Sequence, residues 1–207
     1  MTISIVTPWF NHSELCDTYE RSHSGAQVII VDNGSEPEHA EKIKAMVKRM
    51  DGVYIRNKNN RFFSKANNQG FKRAKHDVVL FLNNDTQSTP RWWQQVERDV
   101  KPGGLYGQST GIRFVMGRSF PYIEGWCIAA TKDTWELIGL WPEDLPGLYW
   151  EDNILCLQAL QSGVHFYAKN WYVQHISNYT SARTKGAYEH SASNQAEFER
   201  RAVQWQS

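Results

Sequence analysis

At 207 residues and a formal net charge of +1, with 23 basic against 22 acidic side chains, the chain lacks the broad basic field of a non-specific nucleic-acid binder. A hydrophobic share of 41% excludes a disordered chain and is enough for one domain whose core needs no disulfide staples. The three cysteines, Cys16, Cys127 and Cys156, are too scattered for a zinc motif or a disulfide framework and read as reduced thiols.

In chain order, ISIVTP is a short β-rich run that its proline is expected to stop. HSELCDTYERSH follows with weak helical spacing. QVIIVDNGS is a second strand, apolar and then abruptly polar. EPEHAEKIKAMVKRMDG reads as a helix: Pro37 suits its first turn, acids lead, bases trail and Gly52 ends it. VYIRN is a third strand. SKANNQGFKRAKHD is a helix with Ser64 as N-cap and Gly70 as a tolerated cost. DVVLFLNND is a fourth strand, and STPRWWQQVERDVK a helix capped by Thr89 with Pro90 at its first position. Such alternation of apolar strands and helices predicts an α/β fold with a parallel sheet covered on both faces.

The second half is less regular. GLYGQSTGIRFVM is β-structure broken by glycines, and EGWCIAATKDTWELIGLW a strand followed by a short helix. GLYWEDNILCLQALQSGVHFY gives a turn, a helix from about Asp152 to Ser162 ending at Gly163, and a strand. WYVQHIS is a further strand, and the tail beyond Thr180 is polar and expected to be mobile in part. No stretch reaches the ~20 apolar residues of a membrane span. MTISIVTPWF lacks the basic lead of a signal peptide, so the expected location is cytoplasmic.

In open parallel sheets the ligand crevice lies beyond the carboxyl ends of the strands. All four strands of the first half turn polar there, at Thr7 and Pro8, Asp32 and Asn33, Arg56 to Asn60, and Asn83 to Asp85. Asn83-Asn84-Asp85-Thr86 is good turn chemistry. The competing reading makes Asp85 the carboxylate ligand of Mg²⁺ or Mn²⁺, with diphosphate oxygens and water completing the shell. Asp32 either starts a turn or accepts from a nucleobase or ribose, with the Thr7-Pro8 backbone lining the same pocket. Arg61 and Lys65 are solvated by default, or neutralise a diphosphate. Asn67 and Asn68 are polar helix-face residues or ligand partners. Glu151 and Asp152 either complement a helix dipole or supply a general base, Asp152, for an attacking hydroxyl. His175 is structural or completes the metal shell. Nine Trp serve a core by default; Trp126, with Tyr149 and Trp150, is a candidate aromatic wall for an acceptor.

The order of these segments resembles the family 2 glycosyltransferases, which have the GT-A fold, from about Ile3 to His175. SIVTPWFN looks like the first strand and nucleotide loop, and VIIVDNGS like the second strand with its base-binding Asp, here Asp32. NRFFSKANNQGFKRAKHDVVLFLNNDT is similar to the stretch that leads to the Asp-x-Asp motif, with Asn83 where the family's first acid stands. Phe62-Phe63 stands where many relatives have Gly-Phe. EGWCIAATKDTWELIGLWPE resembles the acceptor-side strand and helix, and LYWEDNILCLQALQSG the Glu-Asp helix with the catalytic base.

The resemblance implies a single GT-A domain with a Rossmann-like, mostly parallel sheet and a mixed second half. Residues 1–100 would bind the nucleotide sugar, 101–180 would hold acceptor and catalysis, and 181–207 would be the tail. It implies inverting, metal-dependent sugar transfer to an acceptor hydroxyl. Asp85 and His175 would hold Mn²⁺ or Mg²⁺; Asn33, Arg61, Lys65, Asn67, Asn83 and Asn84 would contact the donor. A UDP-sugar is the expected donor. A glycan or lipid-linked glycan is the expected acceptor, ahead of a protein side chain or modified nucleobase. Two alternatives stand beside it. A sugar-1-phosphate nucleotidyltransferase would want a glycine-rich basic loop where this chain has TPWFNHSE. A degenerate nucleotide-sugar binder would follow from loss of the acid at Asn83.

Overall fold

The computed structural model describes residues 3–176 and 188–205. The first half runs β1 (Ile3–Trp9), α1 (Cys16–His23), β2 (Gln27–Asp32), α2 (Pro37–Arg49), β3 (Val53–Arg56), α3 (Phe62–Phe71), β4 (Val78–Leu82), β5 (Thr86–Gln87) and α4 (Trp93–Asp99). The second runs β6 (Gly104–Gly107), β7 (Thr110–Val115), β8 (Arg118–Ile123), β9 (Cys127–Thr131), α5 (Lys132–Ile138), α6 (Glu151–Gln161), β10 (His165–Ala168), β11 (Gln174–His175) and α7 (Ser191–Gln204).

Seven strands make one sheet in the order β10-β6-β9-β4-β1-β2-β3. All its pairings are parallel except those of β9, which runs antiparallel between β4 and β6. The apolar runs are buried on both faces because successive side chains alternate. Ile3, Ile5, Val28, Ile30, Leu80 and Leu82 pack with Tyr19, Ile43, Met46 and Val96 of α1, α2 and α4. Val6, Ile29, Val79 and Phe81 pack with Phe71, Trp135, Ile138 and Leu155 of α3, α5 and α6. Trp9, Trp135, Trp141 and Trp171 are almost wholly buried, so much of the tryptophan builds the core. The three cysteines are buried and unpaired, and among the described residues no helix is long and apolar enough to cross a membrane.

The elements depart from the sequence reading in six places. Pro8 does not stop β1, which runs on to Trp9. Trp9 O accepts from Asn33 N at 2.7 Å, so the alternation turns Pro8 towards the β4 side, where pairing has already ended at Val6. A missing N–H costs nothing on that edge. Ser64 is not the cap of α3, which starts at Phe62; Asn60 Oδ1 instead accepts from Phe62 N at 2.8 Å. Gly70 is required rather than tolerated, because a Cβ there would sit 2.3 Å from Val6 Cγ1 and hold α3 off the sheet. Thr89 and Pro90 do not open α4. Arg91 takes a left-handed φ of 65° and delays the helix to Trp93. The expected strand WYVQHIS contracts to Gln174–His175, paired antiparallel with β5. The tail is not merely polar: α7 buries Phe198 and Ala202 against Val115, Phe120, Ile154 and Leu157. Residues 181–187 of the expected tail lie outside the described residues.

Candidate active site

The ends of β1, β2 and β4, with β7, β8 and the start of α6, surround a cleft of about 640 Å³. Its floor on the β4 side is the Asn83–Thr86 turn. Thr86 Oγ1 donates to Asn83 O at 2.8 Å, so Thr86 closes the turn and the Asp85 carboxylate is not needed as its cap. β5 and β11 then bring two distant residues together. Thr86 pairs with His175, and Asp85 Oδ1 lies 3.1 Å from His175 Nε2. Trp126 stacks on the imidazole, with centroids 4.7 Å apart and planes within 8°, and its Nε1 donates to Glu124 Oε2 at 2.9 Å. Asn83 Nδ2 reaches the same His175 Nε2 at 3.3 Å.

Two ligands of an octahedral cation at ~2.1 Å, set at a right angle, stand about 3.0 Å apart. The 3.1 Å between Asp85 and His175 therefore suits adjacent positions on one metal ion. Among the described residues no group of three or more His, Cys, Asp or Glu converges, so the pair by itself is not a complete metal cage.

The start of α6 lines the same cleft. Tyr149 and Trp150 both take left-handed φ, 75° and 73°, immediately before Glu151. That kink sets the two acids into the cleft rather than along an ordinary capped helix. Asp152 Oδ2 accepts from Gly125 N at 3.2 Å and Oδ1 from Asn153 N at 2.8 Å. A Cβ on Gly125 would lie 2.9 Å from Trp141 Cη2 and 3.2 Å from Asp152 Cβ, so any larger residue would push against both the buried ring and the α6 start. Burial raises Asp152 to about 6, against the pull of those two N–H groups. Burial, with the Asp152 charge added, raises Glu151 to about 8, and no partner meets Glu151 Oε2 among the described residues. Both acids are thus held well above the ordinary carboxylate range, and Asp152, with two N–H donors on its oxygens, is the readier of the two to ionise.

The kink is held from outside. Asn194 of α7, 1% exposed, donates from Nδ2 to Pro146 O at 2.9 Å and Tyr149 O at 3.0 Å. Trp150 Nε1 donates to Ser191 Oγ at 3.3 Å, and Tyr149 stacks on Tyr188 at 4.7 Å.

Pro8, Asn33, Asn83, Asn84, Asp85, Trp126, Tyr149, Trp150, Glu151, Asp152 and His175 all line the cleft, as the sequence reading expected of them. Five others do not. Asp32 is wholly buried: Oδ1 accepts from Ser35 N at 2.9 Å, and Oδ2 meets Tyr54 Oη and Arg56 Nη1. Asn33 stands on the wall in its place and braces the loop below, donating to Asn60 Oδ1 at 2.8 Å and accepting from Arg61 N at 3.0 Å. Thr7 is buried against Tyr19 Oη at 2.6 Å. Arg61 and Lys65 are exposed beside a small adjoining recess that shares Phe62 and Glu151 with the cleft. Asn67 is buried within α3. Conversely, Trp9, Arg113, Tyr122, Glu124 and Asn153 line the cleft without having been singled out. The signal for Arg113 and Tyr122 was a hairpin, two alternating runs either side of Met116-Gly117, whose φ values of 47° and 77° match a two-residue primed turn.

The raised acid carries a stability signature. Glu151 is raised on folding from its ordinary 4.5, so its stabilising contribution is complete below pH 4.5 and is lost as pH rises towards 8. Glu151→Gln removes that dependence. Its melting temperature should exceed that of the wild type by about 4 °C or more at pH 8, with the gain vanishing by pH 4.5. Parallel melting curves across that range would show instead that Glu151 ionises without cost.

Comparison with known proteins gives the same picture. The family model for glycosyl transferase family 2 matches residues 4–139. A hyaluronan synthase of Pasteurella multocida is 30% identical over 97 residues, covering 44% of this chain and 10% of the synthase. A poly-beta-1,6-N-acetyl-D-glucosamine synthase of Staphylococcus aureus is 28% identical over 114 residues, covering 51% of this chain and 28% of that one. The chain thus spans less than a third of the length of either relative. Among solved structures, GalNAc-T7 with UDP, GalNAc and Mn²⁺ superposes with a TM-score of 0.72 at 12% identity, over 96% of this chain and 47% of that one. A mannosyltransferase from Pyrobaculum calidifontis in complex with GDP-Man and Mn²⁺ gives 0.63 at 15% identity, over 81% and 54%. These structural likenesses speak for the GT-A fold alone. With the family model matched from β1 through α5, over most of the sheet, the chain belongs to glycosyl transferase family 2.

Proposed function

We propose that this glycosyltransferase moves a sugar from a nucleoside diphosphate donor to an acceptor hydroxyl, with inversion and with a divalent cation bound. One observation carries the reading: the Asp85–His175 pair and Asp152 line a single cleft, linked through the neighbouring residues Trp126 and Gly125. The donor's base would lie against Pro8, Trp9 and Asn33, with Asp32 bracing that wall from behind through Ser35. Asp85 and His175 would hold Mn²⁺ or Mg²⁺, and Trp126 keeps the imidazole plane fixed. When bound, the cation supplies Lewis-acid stabilisation of the departing diphosphate.

Asp152, ionised at neutral pH, takes the proton of the acceptor hydroxyl as that oxygen attacks the anomeric carbon. The bond to the diphosphate oxygen breaks on the opposite face, and one displacement inverts the carbon. Glu151, protonated, would donate a hydrogen bond to the acceptor. Tyr149 and Trp150 would form the acceptor wall, each with one face already taken by Tyr188 and Arg113. UDP and GDP-Man in the neighbouring structures support a nucleotide-sugar donor, and the Mn²⁺ beside them supports the cation.

A thermal-shift panel of UDP- and GDP-sugars with and without Mn²⁺ tests the donor assignment. A donor at 100 times its Kd adds about 2.7 kcal/mol, which for a chain of this size raises the melting temperature by about 5–10 °C. The rise should require Mn²⁺. A panel in which no nucleotide sugar shifts the transition would overturn the proposal.

A further inference from the structure

Arg113 stands out among the cleft residues because the mechanism gives it no task. It comes from the middle of β7, and its guanidinium packs on two aromatic rings, 4.7 Å from the Tyr122 centroid and 4.5 Å from that of Trp150. Such contacts hold the cation through the ring faces and leave its in-plane N–H donors for other partners. Among the described residues its side chain makes one hydrogen bond, from Nε to Asn153 Oδ1 at 3.2 Å, and no ion pair. Asn153 is itself 2% exposed, lines the cleft, and leaves Nδ2 without a partner among the described residues. A buried amide donor in that state calls for an acceptor. The guanidinium and this amide are linked, so their remaining donors belong to one locus. A cation held rigidly by two rings and an amide, with no carboxylate of its own, matches a planar or tetrahedral oxyanion.

We propose that Arg113 and Asn153 form an anion-recognition subsite on the acceptor side of the cleft, so that the preferred acceptor carries a carboxylate or phosphate close to its reacting hydroxyl. This deepens the transferase reading and rests on its assignment of the α6 side to the acceptor. Asp152 feels the Arg113 charge but forms no ion pair with it, so the guanidinium N–H groups other than Nε stay available to a ligand. Burial keeps Glu151 protonated at pH 7, so the second acid adds no charge to oppose the ligand.

The test is direct binding to the full chain by calorimetry, without nucleotide, using matched pairs. Methyl glucuronide against methyl glucoside probes a carboxylate; glucose 6-phosphate against glucose probes a phosphate. At least one anionic member should bind about tenfold or more tightly than its neutral partner, and the pair that shows it tells carboxylate from phosphate. Arg113→Gln should bring that ratio close to one, Arg113→Lys should restore part of it, and Asn153→Ala should lower it by itself. Equal binding of both members in both pairs, or no binding of any, overturns the subsite on the wild-type protein alone. A preference that survives both Arg113→Gln and Asn153→Ala overturns the residue assignment. Failure of the transferase reading would show separately, as a wild type that hydrolyses no nucleotide sugar with Mn²⁺ present while still choosing the anionic ligand.

Discussion

Asp152→Asn is expected to lower the transfer rate by about 10²–10⁴-fold while nucleotide-sugar binding persists. The amide keeps the volume of the carboxylate but offers one oxygen where two are used, so it keeps the hydrogen bond from Gly125 N or the one from Asn153 N and not both; persistence of nucleotide-sugar binding is the check that the start of α6 has held. What disappears is the group proposed to take the hydroxyl proton. The pH profile separates this from a structural effect. Asp152 is raised to about 6, so it is ionised, and competent as a base, only above that value. Wild-type turnover should therefore fall as pH drops through about 6, and the residual turnover of the variant should show no such limb. Normal transfer by Asp152→Asn would remove this residue from the chemistry and leave its burial as a feature of the helix start.

The second large effect concerns the donor. Asp85→Ala removes one of the two side chains proposed to hold the cation, leaving His175 stacked on Trp126 but without its carboxylate partner. Loss of even an outer partner of a metal ligand commonly costs about 10–100-fold in metal affinity, and loss of the ligand itself should cost at least that. Calorimetry of UDP with wild type should show tight binding only with Mn²⁺. The variant should bind UDP weakly whether Mn²⁺ is present or not. If the wild type binds UDP equally in both conditions, the Asp85–His175 contact is an ordinary buried hydrogen bond, and the metal has no place in the reaction.

Much of this site could be read from the chain because parallel sheets end their strands at a common edge. Val78–Leu82 is apolar throughout and Asn83–Asp85 polar throughout, so the floor of the cleft was visible in eleven letters, VVLFLNNDTQS. Asp152 was visible because two acids precede an apolar helix. Asp32 shows the limit of that logic. The strand end was right, but which of two neighbours faces the ligand depends on pairing. Asp32 sits opposite Arg56 of β3, and that neighbour, with Tyr54, draws its carboxylate inward and leaves Asn33 on the wall. Arg113 was hidden because Met116 is an unusual residue at a turn that needs positive φ, so the hairpin lacked its Asn-Gly mark. The last helix was hidden for a different reason. SASNQAEFERRAVQ has few apolar positions, and Phe198 and Ala202, four apart, signal a buried stripe only once β7, β8 and α6 are there to receive them.

The hold that Asn194 keeps on the carbonyls of Pro146 and Tyr149 has a consequence for how such a protein diversifies. In the proposed reading, the residues on the nucleotide side come from the first ninety or so positions together with His175, whereas the α6 rim leans on Asn194, Ser191 and Tyr188. Substitutions in that distal segment would then re-aim the acceptor side and leave the choice of donor untouched.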